Sequence, residues 1–166
     1  MTAVIPSDHF VKFYNEVFKF LDRRGNGELE KYYQLVSRNQ EFHCLELFRE
    51  KGLAGMYEYW EHIRIEENCD MVNFLEADCY HSKMSVCPSL SKVMDNDGGA
   101  CLKYCDHCPG WILPLMTKAG FFVVYNIIDR QKCECEFFAW QDRKKAEEKL
   151  NELRSHYPED VLRYNF

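Results

Sequence analysis

Phe121-Phe-Val-Val-Tyr-Asn-Ile-Ile128, Asp129-Arg-Gln-Lys132 and Cys133-Glu-Cys-Glu-Phe-Phe-Ala-Trp140 follow one another without a break, and their reading decides the fold. The outer runs are β-branched and aromatic and the middle run is polar, the pattern of a β-hairpin. Side-chain alternation sets Cys133, Cys135 and Phe137 on one face of its second strand. Downstream, Gln141 to Ser155 is rich in Ala, Glu, Lys, Arg and Leu, and predicts a surface helix that turns Ala146, Leu150 and Leu153 inward. Upstream, Cys69 to Glu76 and Ala77 to Val86 predict two more strands, with Cys79, His81 and Lys83 sharing a face.

Between the two hairpins the chain changes character. Cys87-Pro88 ends the second strand, Ser89 to Met94 predicts a short helix, and Asp95-Asn-Asp-Gly-Gly99 reads as a turn. A helix is predicted over Trp111 to Lys118, bent by Pro114 and closed by Gly120. Before Cys69 the periodicity is helical throughout. Phe10, Val11, Tyr14, Val17, Phe18 and Leu21 recur at helical steps, with Ser7 or Asp8 as the cap and Gly25 as the stop. Further helices are predicted from Glu28 to Lys51 and from Leu53 to Glu67.

The expected architecture is therefore α+β in a single domain, with residues 1–67 helical and 68–166 carrying the sheet. N-terminal helices pack on an antiparallel four-stranded sheet of two hairpins, and a cysteine-rich helical insertion lies between the hairpins. The length, 166 residues at 46% apolar and 15% aromatic, suffices for one such core.

A net charge of −6 with Lys and Arg scattered along the chain gives no footprint for a polyanion, so nucleic acid is not an expected partner. No apolar run reaches the roughly 18 residues that cross a bilayer, and Met1 to Phe10 lacks the basic-then-apolar pattern of a secretion signal. A reducing cytoplasm is the expected compartment for nine cysteines, an odd number that cannot pair completely. Asp22-Arg-Arg-Gly-Asn-Gly-Glu-Leu29 imitates the opening of a calcium loop, but Arg24 and Tyr33 stand where its third and twelfth ligands belong.

Chemistry is expected at Cys101-Leu-Lys-Tyr-Cys105-Asp-His-Cys108, together with Cys87 fourteen residues upstream. The spacing of Cys101, Cys105 and Cys108 matches that of radical-SAM iron–sulfur enzymes, but the rest of the chain cannot supply their barrel. Three readings stay open. Cys87, Cys101, Cys105 and Cys108 could form a closed tetrathiolate for zinc or, less well, an iron–sulfur cluster. Cys87 or Cys105 could serve as a nucleophilic thiolate, with Asp106 or His107 moving protons. The i, i+4, i+7 stripe of Cys101, Cys105 and Cys108 is also what three inert core thiols would show. Cys79, His81, Cys133 and Cys135 are further candidate ligands.

Cys87-Pro88-x-Leu90, Tyr104-Cys105-Asp106, the Gly120-led strand and Cys135-Glu136-Phe137 appear in that order, and over about Met84 to Phe138 the chain resembles the L-2-amino-thiazoline-4-carboxylic acid hydrolase-like family of small bacterial proteins. It differs in setting Asp106 directly after Cys105 and in adding Cys101 and Cys108. The resemblance implies a hydrolase-like protein acting on a small carbon–nitrogen or carbon–sulfur compound. More distantly, the chain is similar to vinyl-reductase-type small-molecule-binding domains, some of which hold zinc through cysteines and an acid. That likeness implies a ligand pocket without implying turnover; the alternative to the enzyme is a non-catalytic binding or sensor module in which Cys87, Cys101, Cys105 and Cys108 hold a structural metal.

Overall fold

A computed structural model describes residues 8–95 and 98–166. Ser7, one of the two expected caps, and Asn96-Asp97 of the expected turn lie outside the described residues. Three helices lead the chain: α1 (Asp8–Arg24), α2 (Glu28–Lys51) and α3 (Leu53–Glu66). Then come β1 (Asp70–Leu75) and β2 (Tyr80–Val86), the short α4 (Pro88–Met94), and α5 (His107–Ala119) after a 3-10 turn at Tyr104–Asp106. The chain closes with β3 (Phe122–Asp129), β4 (Glu134–Trp140), α6 (Arg143–Arg154) and β5 (Leu162–Tyr164).

The sheet is antiparallel, in the order β1-β2-β4-β3-β5, so it has five strands and not the expected four. The added strand, Leu162-Arg-Tyr164, is too short to show alternation and is stabilised by pairing with Val124 to Asn126. The two hairpins meet through β2 and β4, where Tyr80, Ser82 and Met84 stand opposite Ala139, Phe137 and Cys135. These residues share the face covered by α2, α3 and α5, whose buried contributions include Phe48, Met56, Trp60, Ile112 and Leu115. The opposite face, with Val124, Phe138 and Trp140, is covered by Ala146, Leu150 and Leu153 of α6, the three residues expected to turn inward.

Two helices depart from expectation for identifiable reasons. The fifth starts at His107, four residues before the expected Trp111, because Pro109 falls in its first turn. There a missing N–H costs nothing, since the first N–H groups of a helix have no intrahelical partner. On α1 the inward stripe is Val11, Asn15 and Phe18, with a fully buried asparagine in the middle, while Phe10 is exposed. The Asn15 amide donates to the Gly99 carbonyl at 2.9 Å and accepts from the Cys101 N–H at 2.8 Å. One side chain thus pins the loop that carries the cysteine segment.

Candidate functional site

Three separate stretches bring thiols to one place. Cys87 caps α4: its sulfur accepts the Leu90 N–H at 3.4 Å, Pro88 occupies the first helical position, and its own N–H donates to the Cys133 carbonyl at 2.9 Å. Cys105 lies in the 3-10 turn and Cys108 in the first turn of α5. Cys135 lies on β4 in register with Met84, facing the helices. Cys87, Cys105, Cys108, Cys133 and Cys135 line one small cavity of about 20 Å³ with His107 and Tyr125. Cys87 and Cys105, far apart in sequence, therefore share a wall.

Cys133 does not alternate with Cys135 as expected. Its φ of 62° places it in the left-handed region just before β4, which breaks the strand period, and its side chain joins the cluster of α1 and α4. Cys101 does not line that cavity. It is buried with Val11, Phe18, Leu90 and Cys133, in a cluster against which Cys87 and Cys105 also pack, and its thiol is raised by burial. Cys79 lies on the α6 side of the sheet, and His81 on that side is stacked on Phe138 and bonded to Glu136 at 3.2 Å.

The small cavity adjoins a larger one of about 260 Å³. Cys87, His107, Cys108, Tyr125 and Cys135 belong to both. Tyr59, Trp60 and Trp111 form aromatic wall, and Cys69 and Glu67 approach from the turn between α3 and β1. Asn68 holds that turn in the left-handed conformation at φ 50°, which asparagine tolerates. A third cavity, also about 260 Å³, lies between α1, α2 and α5 and shares Glu67, Ser89, His107 and Trp111 with the second.

The histidine has a defined role in this geometry. Its Nδ1 faces the Tyr104 carbonyl, which can only accept, so Nδ1 carries the proton. Burial lowers the imidazole pKa and keeps the ring neutral. Nε2 is then a bare lone pair, 3.3 Å from the Cys108 sulfur, whose S–H donates to it. Phe18, tilted to the ring, and Tyr104, edge-on to it, flank the imidazole at centroid distances of 5.5 and 5.2 Å.

Five thiols of the site rest protonated. Burial pushes Cys69, Cys87, Cys105 and Cys108 up to about 12, and Cys135 higher still. At Cys105 the Arg130 guanidinium opposes that rise without cancelling it. The Tyr125 hydroxyl donates to the Cys135 sulfur at 3.2 Å, and its ring stacks on Phe137.

Asp106 points elsewhere. Its carboxylate takes Arg163 of β5 at 2.7 Å and Arg130 at 3.5 Å, and it lines a surface cleft with Lys103 and Arg163. It ties the last strand to the turn before α5 and, though its charge is felt at the neighbouring Cys105, it does not line the cavity that the thiols share.

Sequence reasoning did not single out Glu67, Cys69, Ser82, Tyr125 or Trp111 for the site. The usable signal was the register of the hairpin: Tyr125 stands opposite Phe137, on the face that Cys135 was expected to share. Glu67 and Cys69 carry no such signal, because a helix-to-strand turn brings them in. No family model, no curated protein and no solved structure matches this chain. No described helix is long and apolar enough to cross a membrane.

Proposed function

We propose that the protein is a hydrolase-like enzyme of a reducing compartment such as the cytoplasm, acting on a small carbon–nitrogen or carbon–sulfur electrophile through Cys108 and His107. The observation that carries this is the thiol–imidazole pair lining the cavity, with Nε2 at 3.3 Å from the sulfur and Nδ1–H held by a main-chain carbonyl. A nucleophile, a base and a group that orients the base are the three parts such chemistry requires. Cys108 takes the nucleophile's role that the sequence offered to Cys87 or Cys105, because His107 reaches Cys108. As the thiol attacks an electrophilic carbon, its proton passes to His107 Nε2, and the same proton is later available to the departing nitrogen or sulfur. Water then releases the product from the thiol. Ring opening of a thiazoline, the activity implied by resemblance, is the prototype.

The test is alkylation by iodoacetamide followed by peptide mapping. His107→Gln is expected to slow the labelling of Cys108 about tenfold or more, the scale of a lost general base. Equal labelling rates for Cys108 in both proteins would overturn the assignment.

A second reading, a binding or sensor module with a cysteine-held metal, is supported by a different observation: five thiols around one cavity of about 20 Å³. Cys87, Cys105, Cys108 and Cys135 would hold zinc or an iron–sulfur cluster, which would fix the pocket wall, and Cys101 would not take part. Among the described residues no three His, Cys, Asp or Glu side chains stand in a ligating arrangement, so loading needs these thiols to turn. Elemental analysis of anaerobically purified protein decides between the two. Stoichiometric metal lost in Cys135→Ser and kept in Cys101→Ser supports this second reading.

A further inference from the structure

The charge of the site names the kind of molecule that fits it. The two cavities of about 260 Å³ share Glu67, Ser89, His107 and Trp111 as lining, and so adjoin one another as two lobes of the site. Its walls are aromatic in both lobes: Tyr59, Trp60 and Trp111 in one, Tyr14, Phe18 and Tyr32 in the other. Glu67 is the acidic residue common to both; it keeps contact with solvent, and partial burial, with the neighbouring Glu66, raises its carboxyl above the ordinary value. Glu136, the other acid on the wall, is committed to His81 and Asn126. Among the described residues that line either lobe there is no lysine or arginine, and the histidine between them is neutral.

An aromatic face carries negative charge density, and a carboxylate beside several such faces attracts a cation, more so where water is partly excluded. A carboxylate ligand would meet Glu67 and have no cationic side chain to pair with. Resting on the reading of this space as the substrate pocket, we infer that it takes a flat or compact organic cation, an amine or ammonium on an aromatic or apolar body, and discriminates against carboxylates. The reactive carbon–nitrogen or carbon–sulfur bond of the substrate would then belong to a positively charged molecule such as an amidine-type or amino-substituted heterocycle. The family prototype, a carboxylate, would be a poor ligand for this chain.

The test is equilibrium binding read by tryptophan fluorescence, since Trp60 and Trp111 both line the space. It uses the full chain carrying Cys108→Ser, so that no thiol chemistry intervenes. The probes are benzyltrimethylammonium, its uncharged isostere neopentylbenzene, and phenylacetate. The cation is expected to bind about fivefold to tenfold more tightly than the uncharged isostere, the scale of a partly desolvated cation–π contact, with phenylacetate weakest. Adding Glu67→Gln is expected to remove most of that preference while leaving neopentylbenzene unchanged, and Glu67→Lys to turn it toward phenylacetate. Phenylacetate binding as tightly as the cation, a cation affinity insensitive to Glu67→Gln, or no binding of the cation would each overturn the inference. These outcomes are separate from the labelling of Cys108 in the wild-type chain, which tests the catalytic assignment alone.

Discussion

His107 can accept a proton from Cys108 only while its ring is neutral, and burial that keeps it neutral also ties the pair to stability. A buried neutral imidazole binds fewer protons than the unfolded chain does once pH falls below the ordinary histidine value of 6.5, so its contribution is present above that value and lost as pH drops further. The thiols act in the opposite sense. Held up to about 12 against an ordinary 9.0, Cys69, Cys87, Cys105 and Cys108 stay protonated in the native state while the unfolded chain ionises. Their contribution is intact below pH 9.0 and lost progressively towards 12. Urea unfolding across pH is therefore expected to show a plateau between about 6.5 and 9 with a fall on either side. His107→Gln should flatten the acid limb and leave the alkaline one. A midpoint that keeps rising from pH 9 to pH 11 would contradict the buried thiols.

At the scale of elements, two contacts hold the site in shape and each gives a stability prediction. Asn15 on α1 satisfies both the Gly99 carbonyl and the Cys101 N–H, so Asn15→Leu leaves two main-chain groups unpaired beside the cysteine segment. A loss of about 2–4 kcal/mol is expected by denaturant unfolding, two buried groups at roughly 1–3 kcal/mol each with partial recovery from the added apolar volume. Gly55 of α3 lies so close to α2 that an added methyl would come within 2.6 Å of the Leu47 carbonyl oxygen. Gly55→Ala is expected to cost about 1–3 kcal/mol, because a backbone atom cannot yield as a side chain can. A change under half of one kcal/mol in either variant would contradict the packing described. Both contacts were invisible in the sequence: an asparagine on an amphipathic helix gives no sign of facing inward, and a glycine in a helix gives no sign of what lies above it. The helix bounds were more legible. Glu28–Lys51 follows directly from the apolar period and from Gly52, whose φ of 61° ends the helix. Leu53–Glu66 and Arg143–Arg154 were legible in the same way.

For the molecule as a whole, the order of hairpin, helical insertion and hairpin was readable because each strand pair is local. The fifth strand was not, since Leu162-Arg-Tyr164 gains its conformation only from β3, held there by tertiary contacts such as Arg163 with Asp106. The same division holds for the site. That thiols from the first hairpin's end and the inserted segment would meet was legible from their density, and Cys87, Cys105 and Cys108 do line one cavity. Which thiols join them depends on sheet register and on which side of α1 the loop passes. Cys135 enters through its pairing opposite Met84, and Cys101 is drawn away to Asn15.

The convergence of these sulfurs is tested most directly by phenylarsine oxide, whose arsenic joins two neighbouring thiols with loss of water. Treated with one equivalent in the native state and mapped by mass spectrometry, the protein is expected to carry arsenic bridging two of Cys87, Cys105, Cys108 and Cys135, with Cys101 and Cys44 untouched. A bridge that forms only after denaturation, or one that involves Cys101 in the native protein, would contradict the convergence of Cys87, Cys105, Cys108 and Cys135 on one cavity.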